Sequence, residues 1–127
     1  MVSRRQARRQ ALFLLYQWDV TGQPLASLFE GEVDPWAREL AEAITGEAGE
    51  LDRRITDAAE EWTADRLGVV ERNVLRIAVH ELERGEVPAE VVINEAVELA
   101  KRYATEEAGR LVNGILARIQ REMTEAA

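Results

Sequence analysis

Apolar residues recur every three or four positions along most of the chain, which is the spacing of a helix with one buried face. In the first such stretch these positions are Ala7, Ala11, Leu14, Leu15 and Trp18. Ser3 is a suitable N-cap for this helix, which we expect to run to about Val20 and to end near Gly22. Residues 25–29 could add a short helix. Because no stretch alternates convincingly with a period of two, the pattern predicts an all-α protein.

A long second helix is expected to begin at Asp34-Pro35, where a side-chain acceptor precedes a proline in the first turn. Its apolar spacing continues to about Trp62. Gly46 and Gly49 lie in its middle, and each costs roughly 1 kcal/mol relative to alanine in a helix. The sequence therefore leaves a kink or a break open at this point.

Three more helices are expected after a short polar junction at residues 63–68. The first of them stops at Gly85, the second starts at Pro88, and Thr105 is a candidate N-cap for the third. The pattern thus predicts two helical halves that meet near the junction.

Length and composition fit one globular domain. Hydrophobic residues make up 46% of the 127 residues, which is enough for a core and unlike a disordered chain. We expect a single domain over residues 1–127, with an N-terminal half at about 1–62 and a C-terminal half at about 66–127. The chain contains no cysteine, which fits a reducing cytoplasm and excludes thiolate chemistry. The apolar run at 11–16 is too short to span a membrane, and no signal peptide is evident.

Positive charge is concentrated at the N-terminus of a chain whose net charge is −8. Residues 1–18 hold no acidic residue and four of the 16 basic ones, namely Arg4, Arg5, Arg8 and Arg9. On a helix these arginines form two i, i+4 pairs, at the end where the helix dipole disfavours cations. This placement favours phosphate or RNA binding, while an ordinary charged helix end and pairing with distant acidic residues stay open.

A second, weaker basic group flanks the turn before the last helix and consists of Lys101, Arg102 and Arg110. Tyr103 lies among them, and Tyr16 lies along the first helix. Stacking of a base on such a ring is worth roughly 1–3 kcal/mol. Core packing explains the two tyrosines equally well.

No local motif indicates catalysis. His80 is the only histidine, which disfavours a zinc site or a catalytic dyad, and we expect it at a surface or an interface. Gly114 follows Asn113 within the last helix, where we expect the close approach of another backbone, of a helix or of a ligand. The motifs therefore favour a binding protein over an enzyme.

Three blocks of the sequence resemble the NusB family of bacterial transcription antitermination factors. The most specific block is VINEAVELAK at residues 92–101 followed by VNGIL at 112–116. The second is DRLGVVERNVLRIA at 65–78, and the third is the arginine-rich opening before residues 11–18. Their order and spacing extend the resemblance over nearly the whole chain.

The resemblance implies an all-α fold of about seven helices, packed as two small helical bundles. It implies binding to boxA, a short single-stranded element in nascent ribosomal RNA, jointly with NusE, a ribosomal protein of the small subunit. This pair helps RNA polymerase to read through terminators. The family is not enzymatic and uses no cofactor, and its members occur as monomers or homodimers.

The resemblance also assigns roles to individual residues. It maps RNA contacts onto seven positions, which are Arg4, Arg5, Arg8, Tyr16, Tyr103, Glu107 and Arg110. With Arg9, Lys101 and Arg102 from the two basic groups, these form the expected RNA-binding set. The partner-binding set lies on the helix from 71 to 82 and is Glu71, Arg72, Leu75 and Glu81. Ala108 and Leu111 depart from the family pattern, which often has a serine and an aromatic residue there, and leucine cannot stack on a base as a ring does.

Two other functions stay open at this point. Some ribosomal RNA methyltransferases carry a NusB-like domain, although Met1 and the polar ending lead us to expect a complete product. A helical interaction protein without RNA binding is the other alternative. A homodimer that covered the arginine helix would compete with RNA.

Overall fold

The computed structural model describes residues 2–29, 31–60 and 64–126, and within these ranges it is helical without any strand. The α-helices are α1 (Arg4–Thr21), α2 (Pro35–Ala58), α3 (Val69–Arg84), α4 (Ala89–Tyr103) and α5 (Glu106–Ala126). Two single turns of 3-10 helix, Leu25–Leu28 and Ala64–Arg66, complete the described elements. The all-α prediction is confirmed, but the expected count of about seven is wrong, because five α-helices are present in these ranges. None of these helices is both long enough and apolar enough to cross a membrane.

Helix starts follow the predicted caps. The Ser3 hydroxyl accepts the amide of Gln6 at 3.1 Å, and the Gln6 side chain accepts the amide of Ser3 at 3.0 Å. The carboxylate of Asp34 accepts the amides of Trp36 and Ala37 at the start of α2. The Ser3 and Asp34 predictions are therefore confirmed.

Helix α2 is continuous through Gly46 and Gly49, so no break occurs there. Buried Ile44 and Leu51 bracket the two glycines on the core side, and their packing outweighs the weak local propensity. The helix ends at Ala58, and the predicted end at Trp62 lies outside the described residues.

Helix α3 is the central element, because it contacts each of the other four α-helices. Its buried positions include Val74, Leu75, Ala78 and Val79. The two predicted halves therefore share this helix as a common packing surface.

Helices α4 and α5 form an antiparallel pair around the turn at Thr105. The Thr105 hydroxyl accepts the amide of Ala108 at 2.9 Å, which confirms the predicted cap. The close approach of another helix expected at Gly114 is wrong, because a Cβ there would meet nothing within 4 Å, while the approach of a ligand stays a prediction. Gly109 is the tight position instead: a Cβ built on it would lie 2.7 Å from Cγ of Lys101.

Candidate nucleic-acid interface

The four N-terminal arginines point into different environments. The Arg4 guanidinium lies 4.5 Å from the ring centroid of Trp36 on α2. Arg5 reaches α4, where its Nη2 lies 2.8 Å from Oε1 of Glu95. Arg9 makes no ion pair with any described residue and lies beside α4. Only part of the predicted arginine cluster is therefore free for a ligand.

Arg8 points into the protein and pairs with Glu81 of α3. Two hydrogen bonds of 2.8 Å join the guanidinium to the carboxylate, and both side chains are buried. The hydrogen bonds that Arg8 donates to Glu81 raise the pKa of Arg8 above its ordinary value, against the opposing effect of burial. The surface positions expected for Arg8 and Glu81 are wrong, because each is the other's buried counter-ion.

A shallow groove of about 170 Å³ lies between α1 and α4 and is called the α1–α4 groove below. It is lined by Arg5, Gln6, Arg9, Glu95, Glu98, Leu99, Arg102 and Tyr103. Hydrogen bonds from Arg5 lower the pKa of Glu95, so this carboxylate stays charged and holds Arg5 against α4. Arg9 and Arg102 make no ion pair with a described residue, so their charges are available within the groove.

An aromatic pair lies where Tyr103 lines the α1–α4 groove. The rings of Phe13 and Tyr103 meet edge to face, with centroids 5.2 Å apart and planes at 85°. The guanidinium of Arg102 lies 5.6 Å from the Tyr103 centroid. Tyr16 is 43% exposed on the same helix as Phe13.

Phe13 is the residue that sequence reasoning missed. It is 45% exposed although it is a large apolar side chain. The available signal was its position, since Phe13 follows Arg9 by four residues and precedes Tyr16 by three, which puts all of them near one helix face.

The turn between α4 and α5 brings further predicted residues to the surface. Glu107 and Arg110 are exposed on α5. Lys101 lies with its aliphatic chain against Gly109 and its ammonium 4.0 Å from Glu106. Their positions leave the turn open to solvent.

The predicted partner-binding residues divide between surface and interior. Glu71 is partly exposed in the first turn of α3, where a side chain on Gly68 would collide with its carboxylate. Arg72 donates to Asp19 at 2.9 Å and to two backbone carbonyls, so Nε and Nη1 of its guanidinium are engaged within the fold. Leu75 is fully buried, so its expected place on a partner surface is wrong.

A polar network anchors the other end of α1 to α3. One carboxylate oxygen of Asp19 accepts hydrogen bonds from Arg72, Asn73 and Arg76, at 2.9–3.0 Å. Burial raises the pKa of Asp19, but these donors outweigh it, so the pKa lies below its ordinary value. Arg76 also makes two 2.8 Å bonds to Asp52 of α2.

The single histidine is buried within the fold, so the surface position is wrong, and the interface position stays a prediction. His80 is 6% exposed, and its Nδ1 lies 3.1 Å from Oε2 of Glu47. It lines a cavity of about 500 Å³ between α1, α2 and α3 that Arg4 and Trp36 also line. Within the described ranges no three His, Cys, Asp or Glu side chains are grouped to hold a metal ion.

Comparison with known proteins bears on this arrangement. The sequence profile of the NusB family matches residues 5–121. A transcription antitermination protein NusB from Solibacter usitatus is 40% identical, with 98% of this chain and 93% of that protein covered. Another from Rubrobacter xylanophilus is 42% identical over 91% of this chain and 88% of that protein.

A solved structure agrees with the sequence comparison. It is a crystal structure of antitermination factors NusB and NusE in complex with double-stranded RNA. The fold matches with a TM-score of 0.83 at 32% identity, covering 94% of this chain and 96% of that chain.

Proposed function

The chain belongs to the NusB family of transcription antitermination proteins, which are not enzymes, and on that premise we propose that it binds boxA-type single-stranded RNA together with NusE. In this proposal it recruits both to an antitermination complex on RNA polymerase in the cytoplasm. Residues 1–127 act as one RNA-binding domain, whose halves of about 1–62 and 66–127 are two small bundles sharing α3.

The observation that carries the proposal is the α1–α4 groove. Arg9 and Arg102 offer charges that make no ion pair with a described residue, and the ring of Tyr103, with Phe13 packed against it, lies at one end. Guanidinium groups bind phosphates, and exposed rings accept unstacked bases, which only a single strand offers freely. Further RNA contacts are proposed at the exposed residues Arg4, Arg5, Tyr16, Lys101, Glu107 and Arg110. Phosphate contacts would position the strand and base contacts would give it a preferred sequence.

Titration with boxA-like RNA over a range of salt tests this proposal. We expect log K to fall linearly with log salt, and Arg9→Ala or Arg102→Ala to make the slope shallower by roughly 0.7 each. Arg53→Ala removes an exposed arginine from α2 and serves as the matched control. An RNA affinity that does not change with salt concentration, or an equal loss of affinity in all three variants, would overturn the proposal. Either result would favour an interaction protein without RNA binding.

A duplex of the same sequence is the second arm of that titration. The related complex contains double-stranded RNA, so the duplex is the relevant competitor. We expect the single strand to bind more tightly, because stacked and paired bases offer no free face to Tyr103. Tighter binding of the duplex would replace the single-strand proposal.

NusE binding is proposed at the start of α3, around Glu71. The partly exposed side chain of Glu71 supports this position, and the related complex supports NusE as the partner. We expect Glu71→Lys to abolish NusE binding and to leave binding of RNA alone unchanged. Glu90→Lys is the matched control, since it reverses a first-turn glutamate of α4 at the same cost to the helix dipole. Loss of NusE binding in both variants would contradict this assignment.

A further inference from the structure

We propose that Phe13 supplies a stacking surface for one unpaired RNA base at the end of the α1–α4 groove. The inference rests on the proposed RNA binding and adds a base site on α1. It assigns a function to a ring that no sequence motif singles out.

The position of the ring is fixed by its neighbours. Phe13 is 45% exposed, and its centroid is 5.2 Å from that of Tyr103 at an interplanar angle of 85°. Edge-to-face contact of this kind stabilises a ring pair in one relative orientation. Phe13 is therefore held as part of a right-angled aromatic corner, unlike a lone apolar side chain free to move in solvent.

The corner continues the basic groove. Arg5, Arg9 and Phe13 follow one another at intervals of four residues along α1, so a strand that contacts the two guanidinium groups reaches the ring one turn later. The groove itself, at about 170 Å³, is smaller than the roughly 300 Å³ that small-molecule pockets start from. Its size and charge suit a chain of nucleotides laid across it, with single bases or phosphates held in turn.

A base is a better occupant of this corner than an aliphatic group. Phe13 lacks a hydrogen-bond donor or acceptor, so it offers only a π face or edge, which every base can stack on. Arg102 adds a positive charge to the corner, because its guanidinium lies 5.6 Å from the centroid of the Tyr103 ring. Stacking together with nearby positive charge is the combination found in proteins that bind single strands.

The test pairs protein variants with altered RNA. Phe13→Leu keeps an apolar helix-forming side chain but removes the ring, and Phe13→Trp keeps a ring. Val20→Ala is the control, because Val20 is an exposed apolar residue of α1 outside the groove. Each protein is titrated with boxA-like RNA and with versions that carry one abasic position at a time.

We expect Phe13→Leu to weaken binding about tenfold, with the salt slope unchanged, since the lost contact is not ionic. Phe13→Trp and Val20→Ala should bind as the unaltered chain does. One abasic position should weaken the unaltered chain about tenfold and have little further effect on the Phe13→Leu variant, because both changes remove the same contact.

The possible failures are distinguishable. If the unaltered chain shows no salt-dependent RNA binding, the proposed function itself fails. If it binds RNA and Phe13→Leu binds equally well, or no abasic position couples to Phe13, only this inference is overturned. If sedimentation shows a dimer that Phe13→Leu dissociates with RNA affinity unchanged, the ring is a contact between two copies and the inference is also overturned.

Discussion

At the scale of single residues, the buried pair of Arg8 and Glu81 fixes α1 on α3. Both side chains are almost fully buried, so neither finds water if the other is lost. Removing one partner of such a pair costs about 3–5 kcal/mol, because a buried charge is left uncompensated.

We therefore expect Arg8→Ala to lower the free energy of unfolding by about 3–5 kcal/mol in urea titrations. The double change Arg8→Met with Glu81→Leu should recover most of that loss, since no charge stays behind. Arg53→Ala, on an exposed arginine, should change stability little. A small effect of Arg8→Ala would contradict the buried pair and return Arg8 to the RNA surface.

Asp19 contributes to the pH dependence of stability in acid. Its pKa is lowered in the folded protein, so the folded state binds fewer protons than the unfolded state between that value and the ordinary pKa near 3.9. Stability from Asp19 is therefore complete above about pH 4 and is lost as the pH falls through the lowered pKa.

We expect Asp19→Asn to destabilise the protein near neutral pH and to flatten the loss of stability below about pH 4. Urea unfolding at a series of pH values measures both effects. If the free energy of unfolding of Asp19→Asn falls as steeply below about pH 4 as that of the unaltered chain, other carboxylates control the stability in acid. The Arg5–Glu95 pair should contribute little, because Arg5 is exposed to solvent.

These residues show where sequence reasoning stops. The concentration of arginine on α1 is visible in the sequence, but the partners Glu81 and Glu95 lie 73 and 90 residues further along. No local pattern pairs groups at that separation. Which arginines stay free, and that Phe13 meets Tyr103, follows only from how α1 packs on α3 and α4.

At the scale of elements, capping residues predicted where helices begin and end. The low helix propensity of glycine was a poorer guide to whether α2 is continuous. The boundaries at Ser3, Asp34, Gly85 and Thr105 rest on side-chain acceptors or on a left-handed residue, which act locally. Continuity through Gly46 and Gly49 depends instead on packing of α2 against other helices, which the local pattern does not contain.

The two glycines of α2 offer a stabilising change. A Cβ at Gly46 or Gly49 meets nothing within 4 Å, and both positions are helical. We expect Gly46→Ala and Gly49→Ala each to raise the free energy of unfolding, measured by urea titration, by about 1 kcal/mol. Gly85→Ala is the contrasting case and should destabilise, because Gly85 has φ +69°. No gain at either α2 position would mean that the helix uses a bend there.

At the scale of the whole molecule, α3 joins the two halves. Helix α3 packs on each of the other four α-helices. Unfolding of one half therefore exposes the surface against which the other half packs. The expected number of helices was too high, but the predicted order of elements and the position of the junction lie close to the observed ones.

We expect the halves to unfold together. All three tryptophans, Trp18, Trp36 and Trp62, precede residue 66, so their fluorescence reports mainly on the N-terminal half. Far-ultraviolet circular dichroism reports on all helices. The two signals should give one midpoint in urea. Separate midpoints would show that the halves are independent, against the proposal of a single domain.

Lys101 offers a site for selective chemical labelling. It is the only lysine in the sequence, its side chain is 38% exposed, and it stands at the turn beside the α1–α4 groove. Besides the N-terminal amine, an amine-reactive dye would therefore modify one side chain, next to the surface where RNA is proposed to bind. With no cysteine to compete, a thiol introduced elsewhere would accept a second, different dye, and the distance between the two could be followed as RNA arrives.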